Sequence, residues 1–134
     1  MLHILLASLE YEALALFGAE LQRRGNVRLT YVDSAEAALS AVKTGGIDLI
    51  VVGQFLADTT PVDCVSRLVR QNAMINCAMI SDMEQDVFHE ATEGLGILMQ
   101  LSPNPSGDDA AILLDKVECL STMLNDQAGK GMQQ

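Results

Sequence analysis

The sequence predicts a single doubly wound α/β domain, with a five-stranded parallel sheet in the order 2-1-3-4-5 flanked by five helices. Three observations carry this. The first is the stretch Gly45 to Asp63, GGIDLIVVGQFLADTTPVD, where the short run Leu49-Ile50-Val51-Val52 lies between a Gly-Gly turn and Gly53. Rich in β-branched residues and bounded by turn signals, it reads as a strand buried on both faces. A parallel strand must return over a helix, and the polar loop leading to Thr60-Pro61-Val62-Asp63 supplies the helix start. The second is that runs of this kind alternate with helical patterns along the chain, the signature of a wound sheet. The third is size: 134 residues with 49% hydrophobic content suit one domain with a substantial core. Aromatics are 4% and Trp is absent, so that core is built from Leu, Val, Ile, Ala and Met.

The elements follow in order. His3 to Ala7 is an apolar run of strand length, and Ser8-Leu9-Glu10 forms the crossing. Glu10 to Arg24 reads as a helix, with Leu14, Phe17 and Leu21 at helical spacing, Arg23-Arg24 near its negative end and Gly25 as the stop. Val27 to Val32 alternates as a strand with a more exposed face. Asp33 is read as the cap of the second helix, with Glu36 three residues on in a capping-box pattern. Ala35, Ala38, Leu39 and Val42 form that helix's apolar face, and Gly45-Gly46 ends it. Thr60 caps the third helix with Pro61 at its first position; Val62, Val65, Leu68 and Val69 face the sheet, and Arg67 and Arg70 point outward.

Cys77 to Ile80 is the fourth strand. Ser81-Asp82 is expected to cap a weaker helix over Met83 to Glu93, and Gly94-Leu95-Gly96 turns into a fifth strand over Ile97 to Leu101. Ser102-Pro103-Asn104-Pro105 is a rigid loop delivering Ser106 as the cap of the last helix, which runs to about Leu124. Residues 125–134 are polar, contain two glycines and are expected to form a disordered tail.

Composition excludes several classes. No apolar run approaches the roughly 20 residues of a membrane span, and the N-terminus lacks the basic segment and cleavage site of a signal peptide. A net charge of −10 argues against nucleic-acid binding, which needs clustered Lys and Arg. Residues 1–70 hold eight acids and six bases, whereas 71–134 hold ten acids and two bases. A partner docking on the second half is expected to be basic or uncharged. Cys64, Cys77 and Cys119 are widely spaced in apolar contexts, which suits a reducing cytoplasm and disfavours a metal site.

Three features together point to a family: the element spacing, Asp48-Leu49-Ile50-Val51-Val52 at the third strand, and Leu101-Ser102-Pro103 at the end of the fifth. From His3 to Leu124 the chain resembles the receiver domain of two-component response regulators, a flavodoxin-like fold. On that resemblance residues 1–124 form the receiver-like domain. A typical receiver carries paired acids after its first strand; here Ser8 and Leu9 stand there, with Glu10 beyond. The phosphoacceptor aspartate falls on Gly53, which cannot accept a phosphoryl group. Ser81 retains the hydroxyl that orients the phosphoryl group, Ser102 replaces the lysine, and Pro103 matches the family proline, which can follow a cis peptide bond. The resemblance therefore implies a degenerate pseudo-receiver without a phosphoacceptor.

Other chemistry finds no constellation. Glu10, Asp58 and Asp82 lie in separate edge loops and read as exposed carboxylates rather than convergent cation ligands. His3 and His89 are far apart, with no nucleophile–base pair. Cys64 lies near a helix start but among apolar neighbours, which suits a packed, inert thiol. No glycine-rich phosphate loop follows the first strand. The expectation is a non-enzyme without cofactor or metal, acting as a phosphorylation-independent protein-interaction module in bacterial signal transduction. The alternative is a small-molecule or anion sensor using a vacated pocket at Ser8, Gly53, Ser81 and Ser102. The last helix offers the interaction face. Beside the sheet-facing residues Ala110, Leu113, Val117, Leu120 and Leu124 runs a second apolar row, Ile112, Cys119 and Met123, interrupted by Lys116. Such excess apolar surface suggests a homodimer or protein partner, unless the fourth helix covers it.

Overall fold

The computed structural model describes residues 2–72 and 74–119. Five strands pair in parallel in the order β2-β1-β3-β4-β5: β1 (Leu2–Ala7), β2 (Val27–Val32), β3 (Leu49–Val52), β4 (Cys77–Ile80) and β5 (Met99–Leu101). Between them run α1 (Tyr11–Arg24), α2 (Ala35–Lys43), α3 (Pro61–Gln71) and α4 (Gln85–Ala91), and a last helix, α5, is described over 107–119. The strand order is the one expected from the sequence, and the four-residue central strand has every residue buried.

Alternation along the strands divides the core into two layers, because successive side chains leave a strand on opposite faces. Ile4, Leu6, Leu49, Val51, Ala78, Ile80 and Leu101 turn to one side, where Leu14, Phe17 and Leu21 of α1 and Leu113 and Val117 of α5 cover them. Leu5, Ala7, Ile50, Val52, Cys77 and Met79 turn to the other, under Ala35 and Ala38 of α2, Val65 and Leu68 of α3 and Phe88 of α4. Register across the middle is fixed by Leu6, which pairs with Tyr31 on one side and Val51 on the other. Asp48 locks the start of β3 to β1, donating its N–H to the His3 carbonyl at 2.8 Å while its carboxylate accepts the His3 N–H at 2.8 Å.

Caps account for most helix starts. Thr60 Oγ1 accepts the Asp63 N–H at 3.2 Å, and Ser106 and Asp109 cap each other's N–H groups at 3.2 and 2.9 Å. The second helix departs from expectation: its cap is Ser34, whose hydroxyl accepts from Ala37, and Asp33 stands one residue outside. The fourth is shorter than expected. Ser81 Oγ accepts from Met83 N at 3.1 Å, which closes a local turn instead of a helix cap, so α4 begins only at Gln85 and ends at Ala91. The fifth strand likewise begins at Met99 rather than Ile97, after Gly96 has turned at a φ of 67°. No peptide bond among the described residues is cis, so the bond before Pro103 is trans. The expected end of α5 at Leu124 and the tail 125–134 lie outside the described residues. No described helix is long and apolar enough to cross a membrane.

Candidate functional site

Parallel strands end together, so the loops after β1, β3, β4 and β5 share the carboxyl edge of the sheet, where open α/β sheets bind ligands. Backbone hydrogen bonds draw these loops tight. Gly53 N donates to Ala7 O at 2.7 Å, Ser8 N to Val32 O at 2.9 Å, Leu9 N to Phe55 O at 2.9 Å and Ser81 N to Leu101 O at 2.9 Å.

The loops after β1 and β3 pack directly against each other at Ser8 and Gly53. Ser8 is 3% exposed, its hydroxyl accepts the Glu10 N–H at 2.9 Å, and its side chain lies over Gly53. A Cβ placed on Gly53 would stand 2.6 Å from both Ser8 Cβ and Ser8 Oγ, and 3.1 Å from the Ala7 carbonyl oxygen. At Gly53, where the resemblance expects the phosphoacceptor, the backbone therefore leaves no room for an unshifted side chain. Leu9, where the resemblance expects the second acid, is an apolar side chain 47% exposed.

Ser81 and Ser102 sit apart from that pair. With Asp82, Met83, Gln100 and Pro103 they line a shallow hollow of about 410 Å³ that neither Ser8 nor Gly53 reaches. Gln100 Nε2 spans its floor, donating to the Met83 carbonyl at 2.8 Å and the Ser81 carbonyl at 3.3 Å. The four small residues expected to frame one vacated pocket are therefore split: Ser8 and Gly53 are packed shut, while Ser81 and Ser102 border the neighbouring hollow.

The remaining candidates resolve individually. Asp58 spends both carboxylate oxygens on the start of α2, accepting from Ala35 N at 2.8 Å and Glu36 N at 3.1 Å. Those two backbone donors hold its carboxyl below the usual range. It is the second cap of α2, contributed from 22 residues away, a role local sequence patterns do not reveal. Among the described residues no group of three acids, His or Cys could hold a metal ion. His3 Nε2 bonds Thr30 Oγ1 at 2.7 Å, and His89 lies on α4 with its ring edge-on to Phe88. Burial pushes the Cys64 thiol up to about 11, aided by the nearby Asp58 and Asp63 charges, and the Cys77 thiol up to about 12. Both are buried, as the packed-thiol reading of Cys64 requires, whereas Cys119 is exposed.

On α5, Ala110, Leu113 and Val117 enter the core with Leu114, while Ile112 is 47% exposed and Lys116 and Cys119 are exposed. The fourth helix does not cover that second row. Between α4 and β5 lies a hollow of about 810 Å³, which includes Phe88, His89, Met99 and Gln100 and has Lys116 on its far side. Met123, the last of the expected interaction residues, lies outside the described residues.

A feature missed in the sequence is the apolar character of this edge. Leu9, Phe55 and Met83 come from three different edge loops and are 47%, 54% and 44% exposed. The signal was present as a large apolar residue in each loop, but without the fold nothing brought them together.

No protein-family model matches the sequence, and no curated protein matches it. Solved structures do. A response regulator receiver domain protein from Clostridium thermocellum superposes with a TM-score of 0.79 at 13% identity, covering 92% of this chain and 99% of that one. The chemotaxis protein CheY4 of Vibrio cholerae gives 0.76 at 14% identity, covering 87% and 98%. A candidate pilus assembly protein (cpaE) of Burkholderia thailandensis gives 0.71 at 20% identity, covering 89% and 99%. Across nearly its whole described length, the chain has the fold of a response-regulator receiver domain.

Proposed function

We propose that the chain is a phosphorylation-independent protein-interaction module of bacterial signal transduction, built on the receiver fold and without catalytic activity of its own. The observation that carries this reading is the closure of Ser8 over Gly53, with 2.6 Å left where a Cβ would stand. Phosphoryl transfer to a receiver needs an acceptor carboxylate, a cation held by acids and a compensating ammonium. Gly53, Ser8-Leu9 and Ser102 supply none of these. What the fold still offers is surface. Ile112, Lys116 and Cys119 lie open on α5, while α4 exposes Asp86 and Glu90, with Glu93 exposed just beyond its end. A basic or uncharged partner, or a second copy, fits that face.

Two measurements test the reading. Intact-mass analysis after acetyl phosphate and Mg²⁺ is expected to show an unmodified chain; one added acid-labile phosphoryl group overturns it. Sedimentation and partner capture are expected to respond to Ile112→Glu and to be indifferent to the phosphodonor. Association that appears only with the phosphodonor, or is untouched by Ile112→Glu, counts against it.

A further inference from the structure

A second hollow at the carboxyl edge plays no part in the interaction reading. It measures about 430 Å³ and lies between the start of α3 and the inner face of α4, beside the ends of β3 and β4. Its base is formed by Met79, Ile80 and Phe88, which are only 3–4% exposed. Phe55 and Met83, the two large side chains lining it that stand most open, are 54% and 44% exposed.

The lining polar groups are largely occupied within the chain. Ser81 Oγ accepts from Met83 N, Thr60 Oγ1 from Asp63 N, and Thr92 Oγ1 donates to the Phe88 carbonyl at 2.8 Å. Among the described residues no Lys, Arg or His lines the hollow, and Asp82 is the one ionisable residue in its lining.

We infer that this hollow binds a small, uncharged, ring-containing apolar molecule. Its volume falls in the range of about 300–1,000 Å³ usual for small-ligand sites. Two phenyl rings, Phe55 and Phe88, and two thioethers, Met79 and Met83, favour an aromatic occupant through ring–ring and sulfur–ring contact. Asp82 and a chain charge of −10 oppose an anion, and no described lining residue would neutralise one. The site is distinct from the closed Ser8–Gly53 contact, and it stands whether or not the chain docks a protein through α5.

The test uses the uncharged fluorophore N-phenyl-1-naphthylamine with the full chain. Saturable one-to-one enhancement is expected. Ala91→Trp and Val62→Trp, which fill the hollow, are expected to weaken it at least tenfold. Leu16→Trp, at a residue 79% exposed on α1 across the sheet, is expected to leave it unchanged. Ala91 is itself exposed, so its variant carries the test should Val62→Trp fold poorly; circular dichroism and melting temperature establish that each variant is native. Amide shifts on titration are expected to centre on Phe55, Ser81–Met83 and Phe88. Enhancement that does not saturate, that survives Ala91→Trp in full, or that shifts Ile112 and Leu16 instead overturns the site.

Discussion

Gly53→Ala is the smallest perturbation that probes the closed edge, and two opposing effects decide its sign. At an unstrained position, replacing Gly with Ala restricts the unfolded chain and stabilises by about 0.4–1 kcal/mol. Gly53 has no positive φ, so its backbone would accept Ala without strain. The new methyl group, however, would stand 2.6 Å from Ser8 Cβ and Oγ, where ordinary contact begins at 3.4 Å. Ser8 cannot swing aside cheaply: it is 3% exposed, its clashing Cβ is fixed to the backbone, and its hydroxyl holds the Glu10 N–H. Overpacking costs about 1–3 kcal/mol, and the upper half of that range applies where the atom met is fixed to the backbone, so after the entropic gain a net loss of about 1–2.5 kcal/mol remains. For a domain of this size that is roughly 4 °C in melting temperature per kcal/mol. Urea unfolding of the wild type, Gly53→Ala, Ser8→Gly and the double variant closes a thermodynamic cycle. In the Ser8→Gly background only the 3.1 Å approach to the Ala7 carbonyl oxygen remains, so Gly53→Ala is expected to cost far less there, with a coupling of about 1–2 kcal/mol. A Gly53→Ala protein as stable as the wild type, or one equally destabilised in both backgrounds, would refute the steric argument.

Val51 is fully buried between Leu6 and Ala78, so Val51→Asp is expected to prevent folding. An unpaired buried carboxylate costs several kcal/mol against a total stability of roughly 5–15 kcal/mol; a soluble variant with native circular dichroism would contradict this. Thiol titration with an aromatic disulfide at neutral pH is expected to modify Cys119 alone in the native chain and all three cysteines in denaturant, because burial keeps Cys64 and Cys77 protonated. Asp58 has a folded-state pKa lowered by the Ala35 and Glu36 N–H groups, so the stability it adds is present above the ordinary carboxylate value of about 3.9 and is lost as pH falls through the lowered one. Asp58→Asn is therefore expected to melt below the wild type at pH 6, the two converging as pH approaches 2.

Local patterns carried most of the architecture. The run Leu49–Val52 sets a doubly buried strand whatever surrounds it, and Thr60-Pro61 or Ser106 with Asp109 starts a helix through bonds only three residues long. That Gly53 carries no carboxylate is equally a matter of sequence, since no folding supplies one. Local reading slipped where two partners competed for one role. Ser34 rather than Asp33 caps α2, with Asp58 assisting from another loop, and Ser81 closes a turn that its sequence neighbourhood presents as a helix cap.

The site belonged to the tertiary structure. In the sequence, Ser8, Gly53, Ser81 and Ser102 look alike, small residues at matching strand ends. Only the pairing of β1 with β3 places Ser8 Cβ where a side chain on Gly53 would have to go. Only the packing of α4 over Met79 sets Phe88 under the hollow that Phe55 and Met83 border. Strand and helix formation depend on residues a few positions apart, which a sequence displays directly. The shape of an edge depends on ångström distances between loops some 45 residues apart, and those follow from the register of the sheet alone.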